Sequence, residues 1–495
     1  MKKYLYILFF ILIFLLTHVL RLQNDVVNSD SVYWHKRSRE FMLGLTSKQF
    51  DATYQAYHPG VTLMWIIGGS TNLLIKETFE DYMFETFHFV AKYSLIIVQL
   101  ILSIILLFSL TKIFGYKTSF FMVVLLSLEP FFLGNSRLLH LDILLTLFMF
   151  LGLTWSYLYI RDPRWLKGII SGIFFGLAIL TKSIGFGALL FSIIFGSLVL
   201  FRNQDYKVGK VFVYVLSLLL SCFAIVFLLF PAFRIDPKGL VRDIVKESRL
   251  VGIEKGHKQV FLGKDTKNPG VSFYPIILLL KISPFVLLGA VGYIYSSQKK
   301  LKITFQNYLG LFYMGYFGFI LYLTKKIDRY ILPIIPFLVV LAVLGYLGFI
   351  KKRKSFKYNL FVLLCFCGFI VFPLISLFPY YFTYTSPLFV NGKIANKIVG
   401  QKPFGVGIFD LRDSIVSRYG SDVSFGITDA NPMKSISDHL DVYDIMKTYP
   451  NMYDVLVLGP NREFPKKVTE SGVKFVHEYS LYINNLEYWR VFKRK

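Results

Sequence analysis

Apolar and polar stretches alternate along this chain on the scale of a membrane. Runs rich in Leu, Ile, Phe and Val fall near 4–20, 89–111, 118–134, 138–160, 166–181, 184–201, 211–230, 272–295, 303–324, 330–350 and 359–378. Short polar connections separate most of them. A helix needs roughly 20 apolar residues to cross a hydrocarbon core, and most runs approach that length. The pattern predicts a polytopic α-helical membrane protein with about eleven transmembrane helices. A shorter apolar stretch, 61–75, lies in the first large loop and reads as an interfacial helix.

Lys and Arg set the orientation. With the N-terminus inside, the inside connections hold Lys112 and Lys117; Arg161, Arg164 and Lys167; Arg202, Lys207 and Lys210; Lys299, Lys300 and Lys302; and Lys351, Lys352, Arg353, Lys354 and Lys357. All are basic, as the positive-inside rule requires. An odd number of spans then places the C-terminus outside, in the extracytoplasmic space. Three outside segments are long: 21–88, 231–271 and a tail from about 380. The tail changes to the composition of a soluble protein. Val455-Leu456-Val457-Leu458, 473–476 and 489–492 read as strands, and 411–420 and 435–448 as helices. The expected division is a membrane domain, 1–382, and a small C-terminal α/β extracytoplasmic domain, 383–495.

Composition agrees with this picture. Hydrophobic residues make up 55% of the chain, more than soluble domains usually carry. The formal charge of +25 would suggest a nucleic-acid partner in a soluble protein. Here much of it sits in inside loops, so membrane lipids and no nucleic acid are expected as partners. Cys222, Cys365 and Cys367 all lie within apolar runs, and no disulfide is expected. The first run follows Met-Lys-Lys, and no small-residue cleavage site follows it, so it reads as a retained signal anchor.

Some connections hold ionisable groups that loops do not need. Asp30 follows the first run, in Asn28-Ser29-Asp30-Ser31, and reads as a solvated loop residue, a helix N-cap or a functional acid. His58 sits in Tyr57-His58-Pro59-Gly60, a helix start. Glu129, Arg137, His140 and Asp142 crowd the gap between the third and fourth runs. Arg137 either pairs with Glu129 or Asp142 to brace the loop, or serves a site. Around a helix, Arg137 and Asp142 would lie about 140° apart. So either a helix starts near Leu141 or these groups meet different partners. Lys325, Lys326, Asp328 and Arg329 open the tenth run on the outside, where orientation does not explain cations. Arg suits a phosphate there, because its planar fork binds two oxygens and never deprotonates. The bland alternative is snorkelling to headgroups. Nine Lys or Arg in 231–271, on the same side, add to the phosphate reading, with Lys182 and Lys281 as weaker additions. Alternate threading puts all three clusters on one side, and gathered charges at one interface mark a site.

Asp30, the His58-Pro59 turn, Ser136-Arg137-x-x-His140-x-Asp142 and Arg329-Tyr330-x-x-Pro333 resemble the GT-C membrane glycosyltransferases of glycosyltransferase family 39. These include the dolichyl-phosphate-mannose protein mannosyltransferases and, more distantly, the lipid A aminoarabinose transferases. The resemblance covers roughly 1–350. Tyr380-Tyr381-Phe382-Thr383-Tyr384-x-x-Pro387-Leu388 also looks like the junction to a C-terminal domain in bacterial and archaeal members. The mannosyltransferases have Asp-Glu where this chain has Asp30-Ser31, and His-Pro-Pro where it has His58-Pro59-Gly60.

The resemblance implies a GT-C-like fold and transfer of a sugar from a polyprenyl-phosphate donor to a protein, lipid or glycan acceptor at the outer face. A lipid phosphate leaves readily, so one base suffices for a single inverting displacement, without the second acid of glycoside hydrolases. Asp30 is then expected as the catalytic base. Arg329, with Lys326, holds the phosphate. His58, Glu129, Arg137, His140 and Asp142 complete the expected substrate-binding set. A divalent cation is an open expectation, with Asp30, Glu129 and Asp142 as candidate ligands, although their spacing is no standard metal signature. The rival class is a transporter or flippase of an anionic lipid-linked sugar. Transporters favour midplane sites and internal repeats, and the sequence shows neither. A scaffold subunit that binds a partner through its outside domain is the second rival.

Overall fold

The computed structural model describes residues 2–74, 84–202, 208–296, 304–353, 356–389, 392–437 and 440–495. Lys207, Lys299, Lys300, Lys302 and Lys354, counted above as inside cations, lie outside the described residues. Every apolar run folds as a helix or a bent helix pair. Among the described residues, six helices are long and apolar enough to cross a membrane: Phe84–Phe114, Asp142–Arg161, Ser183–Arg202, Val208–Leu229, Asp328–Lys352 and Phe356–Ser376. Two bent pairs, Tyr116–Leu128 with Pro130–Ser136 and Phe273–Lys281 with Pro284–Ser296, raise the number to eight. The expected eleven is not reached by this measure. Lys2–His18 and Trp165–Thr181 are shorter, and Phe305–Tyr322 dilutes its apolar residues with Tyr, Gly, Gln and Asn.

The bends, of 67° and 112°, have a local cause. Each second helix opens on a proline, which cannot donate to the preceding turn. Glu129 caps the first break: its carboxylate accepts the backbone N–H of Phe132 at 2.7 Å. The other carboxylate oxygen accepts the N–H of Ser283, inside the second break, at 3.1 Å. One fully buried carboxylate thus supports both bends. After the first bend and the loop 137–141, the next helix, Asp142–Arg161, begins on Asp142 itself.

Between the first two apolar helices, two further helices carry the first loop. Ser29–Thr46 is N-capped by Asn28, whose side chain accepts from the N–H of Ser31. Val61–Leu74 follows the His58-Pro59-Gly60 turn, and most of its first two turns are buried. Gly60 has a φ of +61°, and a Cβ there would meet the Trp34 ring at 2.2 Å. A proline, fixed near −65°, does not fit this turn.

Behind the loop, Asp25 is buried between two cations. Lys92 pairs with it, and Arg137 Nε donates to its Oδ2 at 2.8 Å. Arg137 also donates to the carbonyls of Thr17 and Leu20 at 2.8 and 3.0 Å, closing the end of the first helix. Arg137 pairs with neither Glu129 nor Asp142: the helix starts at Asp142, so Arg137 and Asp142 do not share one, and the two meet different partners.

The loop 231–271 contains the helix Pro237–Arg249 and a hairpin of β1 (Gln259–Phe261) and β2 (Lys264–Thr266). The tail forms a five-stranded sheet from β3 (Ser424–Ile427), β4 (Asp441–Asp444), β5 (Val455–Leu458), β6 (Phe475–Ile483) and β7 (Leu486–Arg494). Their order is β4-β3-β5-β7-β6, with β3 parallel to both β4 and β5 and the remaining pairs antiparallel. Central β5 is buried on both faces, as its continuous apolar run requires. The helix read at 411–420 is Ile408–Tyr419. The one read at 435–448 is not formed. Ala430–Ser435 ends there, and β4 follows with Asp441 exposed and Val442 buried, a two-residue alternation.

The tail packs directly onto the membrane body. Its apolar core includes Val26, Val27 and Leu138. Val26 bridges Val406, and Arg412 pairs with Glu85 at 2.5 Å.

The Asp25 arrangement predicts that Arg137 is structural. Removing one partner of a buried ion pair leaves charge uncompensated, so Arg137→Ala should cost roughly 3–5 kcal/mol of stability. Thermal unfolding in detergent measures this. A variant that melts like the wild type would return Arg137 to the candidate site.

Candidate active site

Three segments distant in sequence meet at one end of the helices. The first is the start of Ser29–Thr46. Asp30 sits in its first turn, where the helix N-terminus favours an anion. The second is the loop ending in Asp142. The third is Asp328–Ile334, a tight 3₁₀ segment that leads into Ile335–Arg353.

Their side chains form one charged array. Asp30 Oδ2 lies 3.1 Å from His140 Nε2 and 3.4 Å from an Arg329 guanidinium nitrogen. His140 Nδ1 lies 2.9 Å from Asp142 Oδ2, and Arg329 Nε lies 3.8 Å from the same oxygen. Lys182 pairs with the other Asp142 oxygen. His140 and Arg329 therefore each span the gap between two carboxylates. The two acids differ in access: the Asp30 side chain is 41% exposed and that of Asp142 only 7%. Arg329 also faces the Phe404 ring, with 4.9 Å from guanidinium carbon to ring centre. Its Nη1 is buried and has no hydrogen-bond partner among the described residues. A buried donor left in this state is costly unless a ligand supplies the acceptor.

The array borders two adjoining cavities. One, of about 350 Å³, is lined by Asp30, His140 and Arg37, by His257 from the loop 231–271, and by Gln401, Lys402 and Phe404 from the tail. The other, of about 260 Å³, is walled by Leu145, Ile184, Val251, Phe319, Leu323 and Pro333. His58, Asp142, Lys182, Lys325, Arg329 and Tyr330 border both. Cations therefore concentrate where a polar chamber opens onto an apolar one.

Protonation follows from these neighbours. Burial opposes ionisation of Asp30. The hydrogen bond and charge of His140 and the charge of Arg329 outweigh it and hold the carboxyl far below the usual range. His58 is kept neutral by burial and by the charges of Lys182 and Lys325. Burial, then the charge of Lys402, brings His257 down to about 4. Burial brings Lys402 down to about 8. At neutral pH the Lys402 ammonium thus donates to the free nitrogen of His257, 2.6 Å away.

Of the residues expected from sequence, Asp30, His58, His140, Asp142 and Arg329 line the polar cavity. Glu129, Arg137 and Lys326 do not. Glu129 caps the two breaks and Arg137 holds Asp25. Lys326 donates to the carbonyls of Leu321, at 2.8 Å, and Leu323, closing the helix before it. Lys325, its neighbour, faces the cavities instead. The candidate metal set does not converge, since Glu129 stands apart from both aspartates. Among the described residues, no three His, Cys, Asp or Glu are placed to hold an ion. Sequence reasoning missed Lys402 and Phe404. The one signal is Lys402-Pro403-Phe404-Gly405-Val406-Gly407, where two glycines flank a valine and mark close backbone approach.

Comparison with known proteins gives this geometry a context. Residues 63–230 match the family model of dolichyl-phosphate-mannose-protein mannosyltransferase. Over almost the whole chain the fold is that of ArnT from Cupriavidus metallidurans in a crystal structure bound to undecaprenyl phosphate. That match has a TM-score of 0.55 and 12% identity, covering 99% of this chain and 97% of ArnT. This is a GT-C glycosyltransferase fold. Apo ArnT matches equally, with a TM-score of 0.55, 13% identity and 99% and 98% coverage. The oligosaccharyltransferase AglB from Archaeoglobus fulgidus, in complex with an inhibitory peptide and a dolichol-phosphate, gives 0.49 and 12%, covering 92% of this chain and 69% of AglB. No curated protein sequence matches the chain. The matched family segment holds His140, Asp142 and Lys182 but neither Asp30 nor Arg329, which the GT-C fold brings to them.

The array predicts an unusual acid limb. A depressed carboxyl pKa means that Asp30 stays an anion as pH falls through about 4, the ordinary aspartate value. The pH profile of kcat/KM should show no loss there from Asp30. In His140→Ala the limb should move up toward that value. An acid limb near pH 4 in the wild type, unmoved by His140→Ala, would contradict this reading.

Proposed function

We propose that the chain transfers a sugar from a polyprenyl-phosphate donor to an acceptor hydroxyl at the extracytoplasmic face, by inverting single displacement. The carrying observation is the unpartnered Nη1 of Arg329 at the mouth between the two cavities. The apolar cavity suits a prenyl chain, and Arg329 with Lys325 suits the phosphate at its end. The polar cavity takes the sugar and acceptor. Likeness of fold to a protein seen with undecaprenyl phosphate supports this reading.

In the reaction the acceptor oxygen attacks the anomeric carbon as the bond from that carbon to the phosphate oxygen breaks. The phosphate leaves with the bonding pair. Arg329 and Lys325 face the charge that gathers on it, a contact that strengthens toward the transition state. Asp30 takes the acceptor proton and ends neutral. Asp142 holds His140, Arg329 and Lys182 in place around it. Eleven spans, with the N-terminus inside and residues 383–495 outside as an α/β module, would put this chemistry on the outer face.

Two measurements test the reading. Donor titration and turnover, with released polyprenyl phosphate detected by mass spectrometry, separate the two key residues. Asp30→Asn keeps shape and loses basicity, so turnover should fall by roughly a hundredfold or more with donor affinity nearly unchanged. Arg329→Ala should weaken both, and Arg329→Lys should recover only part, because a point charge lacks the fork. Full turnover in Asp30→Asn would remove the base. For sidedness, Glu470→Cys should react with an impermeant maleimide on intact cells. Reaction only after permeabilisation would invert the topology.

A further inference from the structure

Asp429 lies in the turn between β3 and the helix Ala430–Ser435, far from the charged array in sequence. Its two carboxylate oxygens hold different segments. Oδ1 accepts the Ser29 hydroxyl at 2.6 Å. Oδ2 accepts the backbone N–H of Gly405 at 3.0 Å. Ser29 directly precedes Asp30. Gly405 directly follows Phe404, the ring that covers the Arg329 guanidinium.

The seat is built for this approach. Gly405 has a φ of +65°, and a Cβ there would meet the carbonyl oxygen of Val27 at 1.8 Å. Only glycine lets the tail backbone come so close to 26–28. Val27 N–H donates to the Gly405 carbonyl at 3.4 Å, and Val26 bridges Val406 beside it. Asp429 closes the arrangement by joining both strands of contact at their inner end.

We propose that Asp429 is a positioning residue for the transfer reaction, fixing from the tail the separation between the base on Asp30 and the phosphate clamp on Arg329. This rests on the function proposed above. It gives the tail a direct part in the chemistry. Catalytic geometry is sensitive: a displacement near 1 Å costs about a hundredfold in rate.

The test uses the full chain in detergent or nanodiscs and three variants. Asp429→Ala removes both contacts. Asp429→Asn keeps them, since the amide oxygen accepts from Gly405 and the NH2 donates to the Ser29 oxygen. Ser29→Ala removes one. With a polyprenyl-phosphate sugar as donor, Asp429→Ala should lose roughly ten- to a hundredfold in kcat with donor KM little changed. Asp429→Asn should recover most of that loss, and Ser29→Ala should fall between. Hydrogen exchange should quicken at the amides of 26–32 and 403–407 in Asp429→Ala and return toward wild type in Asp429→Asn.

Unchanged exchange at both segments would overturn the proposal. So would kcat and donor KM in Asp429→Ala that worsen together with melting temperature and are not restored by Asn. A wild type that releases no polyprenyl phosphate from any donor would defeat the proposed function instead. The exchange measurement would still decide whether Asp429 holds the two segments.

Discussion

The site depends on one physical constraint. Arg329 cannot shed its charge, and it is largely buried at the start of a helix. Burying a guanidinium is tolerable only if carboxylates and acceptors surround it. Asp30 and Asp142 meet that need from two sides, and His140 sits between the same two acids. The need is not fully met, since Nη1 has no partner among the described residues. The array is thus stable enough to persist and incomplete in the direction of the cavities. His140 and Arg329 in turn set the state of Asp30, so geometry and protonation are not separate features here.

The surrounding helices exist in the form that this array requires. Asp142 reaches the cavity because its helix begins at that residue. The short helix Pro130–Ser136, the second part of the broken span, and the loop 137–141 precede it. Glu129 makes the break tolerable and, through Ser283, ties it to the second broken span. A carboxylate far from the cavity therefore supports the residues that line it, through backbone N–H groups alone. Arg137 plays a comparable part on the other side, fastening the first helix to Asp25, from which the chain runs on to Asp30.

This explains what the sequence could reveal. Apolar runs and their order were legible because a hydrocarbon solvent enforces them residue by residue. Asp30, His140, Asp142 and Arg329 were legible because ionisable groups beside apolar runs are expensive and few. Glu129, Arg137 and Lys326 carried the same signal for a different reason. A buried charge costs the same whether it caps a helix or meets a substrate, and local sequence does not encode which. The contribution of the tail was the least legible. The Ser29–Asp429 contact spans 400 positions, and nothing in the tail's soluble composition distinguishes Asp429 from a surface turn residue. The failed helix at 435–448 has a similar origin: alternation over Asp441–Asp444 is shorter than the window in which a helical period is judged.

On the function proposed above, a strongly ionised Asp30 also constrains the mechanism. A carboxylate held so far down is a poor base toward a resting alcohol. It becomes an adequate one only when the acceptor oxygen has begun to bond to the anomeric carbon and its proton has turned acidic. Proton transfer must then follow, not lead, the departure of the phosphate. That order suits a donor whose leaving group needs no protonation, and it places the burden of the reaction on the phosphate side. There Arg329 and Lys325 stand at the boundary of the apolar chamber, in a low dielectric that strengthens their pull. On the proposed function, the division between a weak base and a strong clamp is a consequence of one shared charge array, because His140 and Arg329, which lower Asp30, face the same two carboxylates.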